Sequence, residues 1–277
     1  MKILLNVLKG IIIGGSMSVP GVSGGTMAML LGCYSDLIHA VSSFTKNVRK
    51  NAFFLIQLAA GGGIGLLLIS KLIESGLEHA TIGQPLRCLF VGLVLGGLPL
   101  MYKMTKSASN ETARVTDYLF GILGFVLVVL LTKVPENILN LASGRGPLAV
   151  LFLLIAGFVV AIGLVLPGIS AMGMIAALGL FETVNSAISN LDLALLVPLG
   201  AGGLVGIFGT TRIIEKLMDK FPRKTYLLII GFVLGSVLQV LPDQAPQGWE
   251  ILFWILAAAV GFALIMLLSR LEDKKPA

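Results

Sequence analysis

A helix-breaking motif occurs twice in this chain, each time inside a long apolar stretch. Residues 18–26 read SVPGVSGGT and residues 165–173 read VLPGISAMG. The shared core is an apolar residue, Pro, Gly, a β-branched residue and Ser: Val19-Pro20-Gly21-Val22-Ser23 and Leu166-Pro167-Gly168-Ile169-Ser170. A Pro-Gly pair ends one helix and lets another begin. In hydrocarbon, a broken backbone is tolerated only where protein buries it or where it lines a cavity. Breaks at matching positions in two halves point to a transporter's binding site.

The duplication extends beyond the motif. With Pro20 set on Pro167, Gly32 falls on Gly179 and Tyr34 on Phe181. After a shorter loop in the second copy, Gly61, Gly62 and Gly65 fall on Gly202, Gly203 and Gly206. Ser70 to Glu74 then falls on Thr211 to Glu215, and Gly92 and Gly96 on Gly231 and Gly235. The same features in the same order define repeat one at 1–135, a connector at 136–146, repeat two at 147–271 and a short cytoplasmic tail at 272–277.

The chain is 56% hydrophobic and 12% charged, with a mean hydropathy of +0.98, more apolar surface than a soluble domain can hide. Apolar runs recur along its whole length, which defines an all-α polytopic membrane protein. They lie at roughly 3–19, 22–45, 52–73, 86–102, 117–132, 148–166, 169–189, 193–211, 225–241 and 250–269, five to each half. The first run is kept as a helix, since it lacks a small-residue cleavage site and its counterpart recurs in mid-chain. An odd number of segments inverts the second half relative to the first.

Charge supports that topology. Sixteen of the twenty Lys and Arg fall on one side, among them Lys2, Lys50, Lys106, Lys220 and Lys275; only Lys71, Arg87, Lys133 and Arg145 fall on the other. The positive-inside rule then makes both termini cytoplasmic. The net charge of +6 is membrane orientation and gives no case for nucleic acid. Leu4 to Val19 is short for a span of about 20 residues and carries Lys9, which is expensive at mid-depth. The expected fold is therefore two inverted-topology repeats, each a Pro-Gly-broken re-entrant helical hairpin (3–45 and 148–189) plus three transmembrane helices.

Ser23-Gly24-Gly25-Thr26 starts the helix after the first break. Free N–H groups and the helix dipole favour an anion there, with Ser23 and Thr26 as hydroxyl donors and Gly24 and Gly25 permitting close approach. The alternative is a Gly-rich packing contact with an N-cap Ser. The second copy, Ser170-Ala171-Met172-Gly173, is less polar, so the first half is expected to dominate an asymmetric site. Arg87 is the preferred outer-side phosphate ligand, because guanidinium binds phosphate in a bidentate fork. Lys9 and Asp36 lie about equally far along the two arms of the first hairpin, a candidate pair at its mouth. Lys71/Glu74 and Arg212/Glu215 are repeat-related i, i+3 pairs, candidate gates or headgroup contacts, with interfacial anchoring as the alternative.

No catalytic constellation is present: His39 and His79 stand apart, and Cys33 and Cys88 sit singly in apolar segments. No metal site and no cofactor are expected. Without a nucleotide-binding motif, uphill transport has to draw on a proton or sodium gradient or on substrate exchange.

VPGVSGGT near the start and LPGIS in mid-chain, in a basic-inside protein of this length, resemble the PopT family of bacterial polyprenyl-phosphate transporters. The resemblance covers nearly the whole chain. It implies a multi-pass protein of the bacterial cytoplasmic (inner) membrane that flips undecaprenyl phosphate from the outer to the cytoplasmic leaflet, recycling the lipid carrier of cell-envelope synthesis. It carries over to Pro20–Thr26 and Pro167–Ser170 and to no other residue. The residues alone equally allow an ion-coupled transporter or exchanger of a small water-soluble anion, and they leave the oligomer open.

Overall fold

The computed structural model describes residues 2–19, 21–79, 81–107, 114–133 and 146–273. Pro20, most of the connector with Arg145, and the tail residues Lys274 and Lys275 lie outside the described residues. The described residues form helices and no strand.

The first half contains α1 (Lys2–Ser16), α2 (Gly24–Leu30), α3 (Tyr34–Ser42), α4 (Val48–Ile64), α5 (Ser70–Glu78), α6 (Gly83–Ser107) and α7 (Val115–Thr132). A π-helical stretch, Gly65–Ile69, joins α4 to α5 into one long rod. The second half contains α8 (Pro147–Val165), α9 (Ala171–Ala177), α10 (Phe181–Asn190), α11 (Leu193–Lys220), α12 (Pro222–Val240) and α13 (Glu250–Asp273). In both halves a helix ends at the Pro-Gly motif, two short helices follow, and three long helical rods complete the half.

Among the described residues six stretches are long and apolar enough to cross a membrane: Val48–Glu78, Gly83–Lys106, Pro147–Val165, Leu193–Lys220, Pro222–Val240 and Glu250–Leu267. The chain is a multi-pass membrane protein. At 15 residues α1 rises about 22 Å, less than the ~30 Å hydrocarbon thickness. The apolar part of α7, Val115–Leu131, is also shorter than those six. The helix before the second break, α8, has 19 residues against the 15 of α1, so the helices leading into the two breaks differ in reach. Beyond the second break, α9 and α10 meet at a bend of 109°.

Repeat-related glycines make the long contacts. A Cβ on Gly61 would strike the carbonyl of Val7, and one on Gly202 the carbonyl of Leu154, so α1 lies backbone-close on α4 and α8 on α11. A Cβ on Gly92 would strike Ala258 and one on Gly231 would strike Gly121, which seats α6 on α13 and α12 on α7. The last two helices of each half thus pair across the halves. Small residues of this kind let helices approach where lipid supplies no hydrophobic drive. The buried core forms around α2: Val22, Met27, Met29 and Leu30 pack with Val165, Ile229, Val233 and Val240 of the second half. Large side chains such as Leu68, Leu72 and Phe253 are instead more than 60% exposed, as a lipid-facing surface requires.

Candidate functional site

Each break is built by a glycine in the left-handed region, Gly21 at φ +78 and Gly168 at φ +81. That conformation carries no steric penalty only for glycine. Both glycines also face α12 closely: a Cβ on Gly21 would sit 2.7 Å from the carbonyl of Ser236, and one on Gly168 would overlap the backbone of Phe232. One helix therefore supports both breaks.

After the first break, Ser23 takes an extended conformation (φ −96, ψ 155) and caps α2, its Oγ accepting from the N–H of Thr26 at 3.1 Å. Ser23 Oγ and Thr26 Oγ1 lie 2.9 Å apart. Into this pair points the backbone of the second break: the N–H of Gly168 donates to Ser23 Oγ at 3.0 Å and to Thr26 Oγ1 at 2.8 Å. The two motifs, 147 residues apart in the alignment of Pro20 with Pro167, meet face to face. Gly25 keeps the approach close, since a Cβ there would lie 3.1 Å from Pro167 N and 3.2 Å from the carbonyl of Val165. Tyr34 closes the cluster, its hydroxyl donating at 3.2 Å to Val165 O at the end of α8. Gly21, Ser23, Gly25, Thr26, Pro167 and Gly168 are all buried. Gly24 is half-buried beside Ile13 and Met17.

Ser23 Oγ accepts from two N–H groups, and its hydroxyl shares a hydrogen bond with that of Thr26 in which either oxygen can donate. Thr26 Oγ1 also accepts from the N–H of Gly168. Two hydroxyls and a backbone N–H thus meet in one buried junction, groups that are able to donate to an anionic oxygen.

The second motif cannot reciprocate. Ser170 caps α9, accepting from Gly173 N at 3.2 Å, and is only half-buried. The position matching Thr26 is Gly173, and the one matching Tyr34 is Phe181, so both hydroxyls are missing. The donor-rich chemistry lies on the first motif, with the second contributing the Gly168 N–H.

The remaining candidate residues lie elsewhere. Lys9 donates to Leu31 O at 2.6 Å, at the C-terminal end of α2, and Asp36 is exposed in the first turn of α3. Lys71, Glu74 and Arg212 are exposed. Glu215 reaches from α11 to His39 on α3, with Nδ1 to Oε1 at 2.6 Å, so His39 does not stand apart as it does in the sequence. Alongside, Ser35 and Tyr226 join α3 to α12 through their hydroxyls at 3.1 Å. Arg87 belongs to another cluster, paired with Asp243 at 2.8 Å. Sequence patterning gave no signal for Asp243, His39 or Tyr226, whose partners are remote in the chain. Among the described residues no group of His, Cys, Asp and Glu is placed to hold a metal ion.

Buried breaks that meet against α12, in a chain with six membrane-length apolar stretches among its described residues, define a multi-pass membrane protein with paired broken helices. A family model described as VCA0040-like, undecaprenyl phosphate translocase-like, matches residues 13–251, and the chain belongs to that family. A polyprenyl-phosphate transporter of Staphylococcus aureus is 30% identical over 283 residues, covering 96% of each chain. A polyprenyl-phosphate transporter of Vibrio cholerae serotype O1 is 25% identical over 265 residues, covering 91% of this chain and 82% of the relative. No solved structure matches.

Proposed function

We propose that this protein carries a polyprenyl phosphate across the bacterial cytoplasmic membrane, flipping undecaprenyl phosphate from the outer to the cytoplasmic leaflet. The observation that carries this reading is the bifurcated hydrogen bond from Gly168 N–H to Ser23 and Thr26, a buried junction of hydroxyls and backbone N–H between two broken helices. A phosphate cannot cross hydrocarbon bare, because burial of its charge without partners is prohibitive. When the breaks separate, the two hydroxyls and the Gly168 N–H become donors to one phosphate, and the prenyl tail stays in lipid. Family membership and the names of the two relatives support the substrate class.

In this proposal the halves are inverted, the breaks lie near the membrane midplane, and both termini are cytoplasmic. The sixteen-to-four distribution of Lys and Arg supports the orientation. The test is purified protein in liposomes with undecaprenyl phosphate loaded in one leaflet, with and without an imposed proton or sodium gradient. The expected result is protein-dependent transfer between leaflets. Transfer of a soluble organic anion with no lipid movement would instead establish a solute carrier.

A further inference from the structure

We propose that Asp243 is a built-in carboxylate occupying an anion site on Arg87, and that a phosphate headgroup takes its place; the choice of a lipid phosphate rests on the function proposed above. Arg87 lies near the start of α6, at the end opposite Lys103 and Lys106. Its side chain is 18% exposed, while that of Asp243, in the loop between α12 and α13, is 65% exposed. Asp243 Oδ2 meets only Nη2, at 2.8 Å. The Nε of the same guanidinium is buried and has no hydrogen-bond partner among the described residues.

Nε–H and Nη2–H lie on one edge of the planar group and together form a fork that suits two oxygens of one anion. Asp243 fills half of it. A buried donor left unpaired calls for an acceptor, and a phosphate monoester, with three terminal oxygens, can reach both N–H groups at once. The exchange is feasible in only one sense. The exposed carboxylate can return to water at little cost, whereas a largely buried guanidinium must keep an anionic partner. The loop is tethered beside the site, the N–H of Asp243 donating to Gln84 Oε1 on α6 at 3.2 Å, so the carboxylate stays at hand to refill the fork after the phosphate leaves.

The test is equilibrium binding of a short-chain polyprenyl phosphate and, separately, of inorganic phosphate to the full chain in detergent, comparing wild type with Asp243→Asn, Arg87→Gln and Arg87→Lys. Asp243→Asn is expected to bind about tenfold more tightly, because no carboxylate competes, and its melting temperature should rise more on ligand addition than that of wild type. Arg87→Gln should lose at least about tenfold, and Arg87→Lys, which keeps the charge without the fork, should fall between. Unchanged affinity in Asp243→Asn and Arg87→Gln, with wild type binding the lipid, overturns the exchange and leaves the proposed function standing. Tighter binding of inorganic phosphate by Asp243→Asn, with no polyprenyl phosphate bound by any form, upholds the exchange and removes the lipid reading. Absence of binding by every form overturns both.

Discussion

The N–H of Gly168 donates to the hydroxyls of both Ser23 and Thr26, at 3.0 and 2.8 Å. This contact joins the two halves at their matching breaks. It is one-sided, because the second motif has Gly173 where the first has Thr26. Its consequences for stability and for substrate are separable.

Removing a hydroxyl on the first motif leaves a buried N–H short of an acceptor. Ser23→Ala loses both the cap of α2 and an acceptor for Gly168, and should cost about 1–3 kcal/mol. Ser170→Ala loses only a half-exposed cap and should cost about 1 kcal/mol or less. Thermal unfolding of the two variants in one detergent gives the order, with Ser23→Ala melting lower.

Gly168→Ala should be much worse than Gly173→Ala. The first places a side chain at φ +81 against the backbone of Phe232. The second puts a Cβ in ordinary contact, 3.5 Å from Ser170 Cβ. Strain at a positive φ alone costs about 1–2 kcal/mol. Yield of monodisperse protein on size-exclusion chromatography should fall for Gly168→Ala and hold for Gly173→Ala.

The helix breaks and the close helix contacts were legible because they are written in residue types with local consequences. Pro-Gly ends a helix wherever it lies, and Gly61, Gly92, Gly202 and Gly231 mark close helix contacts by having no side chain. The donor set Ser23 and Thr26 was legible for the same reason, as an N-cap and first turn. What those hydroxyls bond to was not, since Gly168 becomes their partner only through the packing of both breaks on α12. The same holds for Tyr34 on Val165, Glu215 on His39 and Asp243 on Arg87: each pair is made by tertiary geometry between residues that have no pattern in common. The packing contact and the anion site were weighed as alternatives in the sequence; the structure shows the contact, and the proposed phosphate site uses the same atoms.

His39 and Glu215 bridge α3 and α11, with the His side chain 67% exposed. A contact so open to solvent should couple by only about 0.2–1 kcal/mol in a double-mutant cycle of His39→Gln and Glu215→Gln. A larger coupling would mark the contact as a closed gate shielded from water.

Lys106 ends α6 and Lys220 ends α11, both exposed. In the proposed orientation both face the cytoplasm. Single cysteines at 106 and 220 should resist a membrane-impermeant thiol reagent in intact cells and react after permeabilisation. Labelling of either in intact cells contradicts the orientation.

The central claim is that the junction of the two breaks handles the lipid phosphate. It is tested most directly by the initial rate of undecaprenyl phosphate transfer in liposomes, comparing wild type with Ser23→Ala and Thr26→Val reconstituted as folded protein. A hydrogen bond to a charged group is worth about 1.5–3 kcal/mol, so each variant should transfer the lipid about tenfold more slowly or worse at limiting substrate. Equal rates in all three proteins would place the phosphate path elsewhere and leave the junction a packing contact alone.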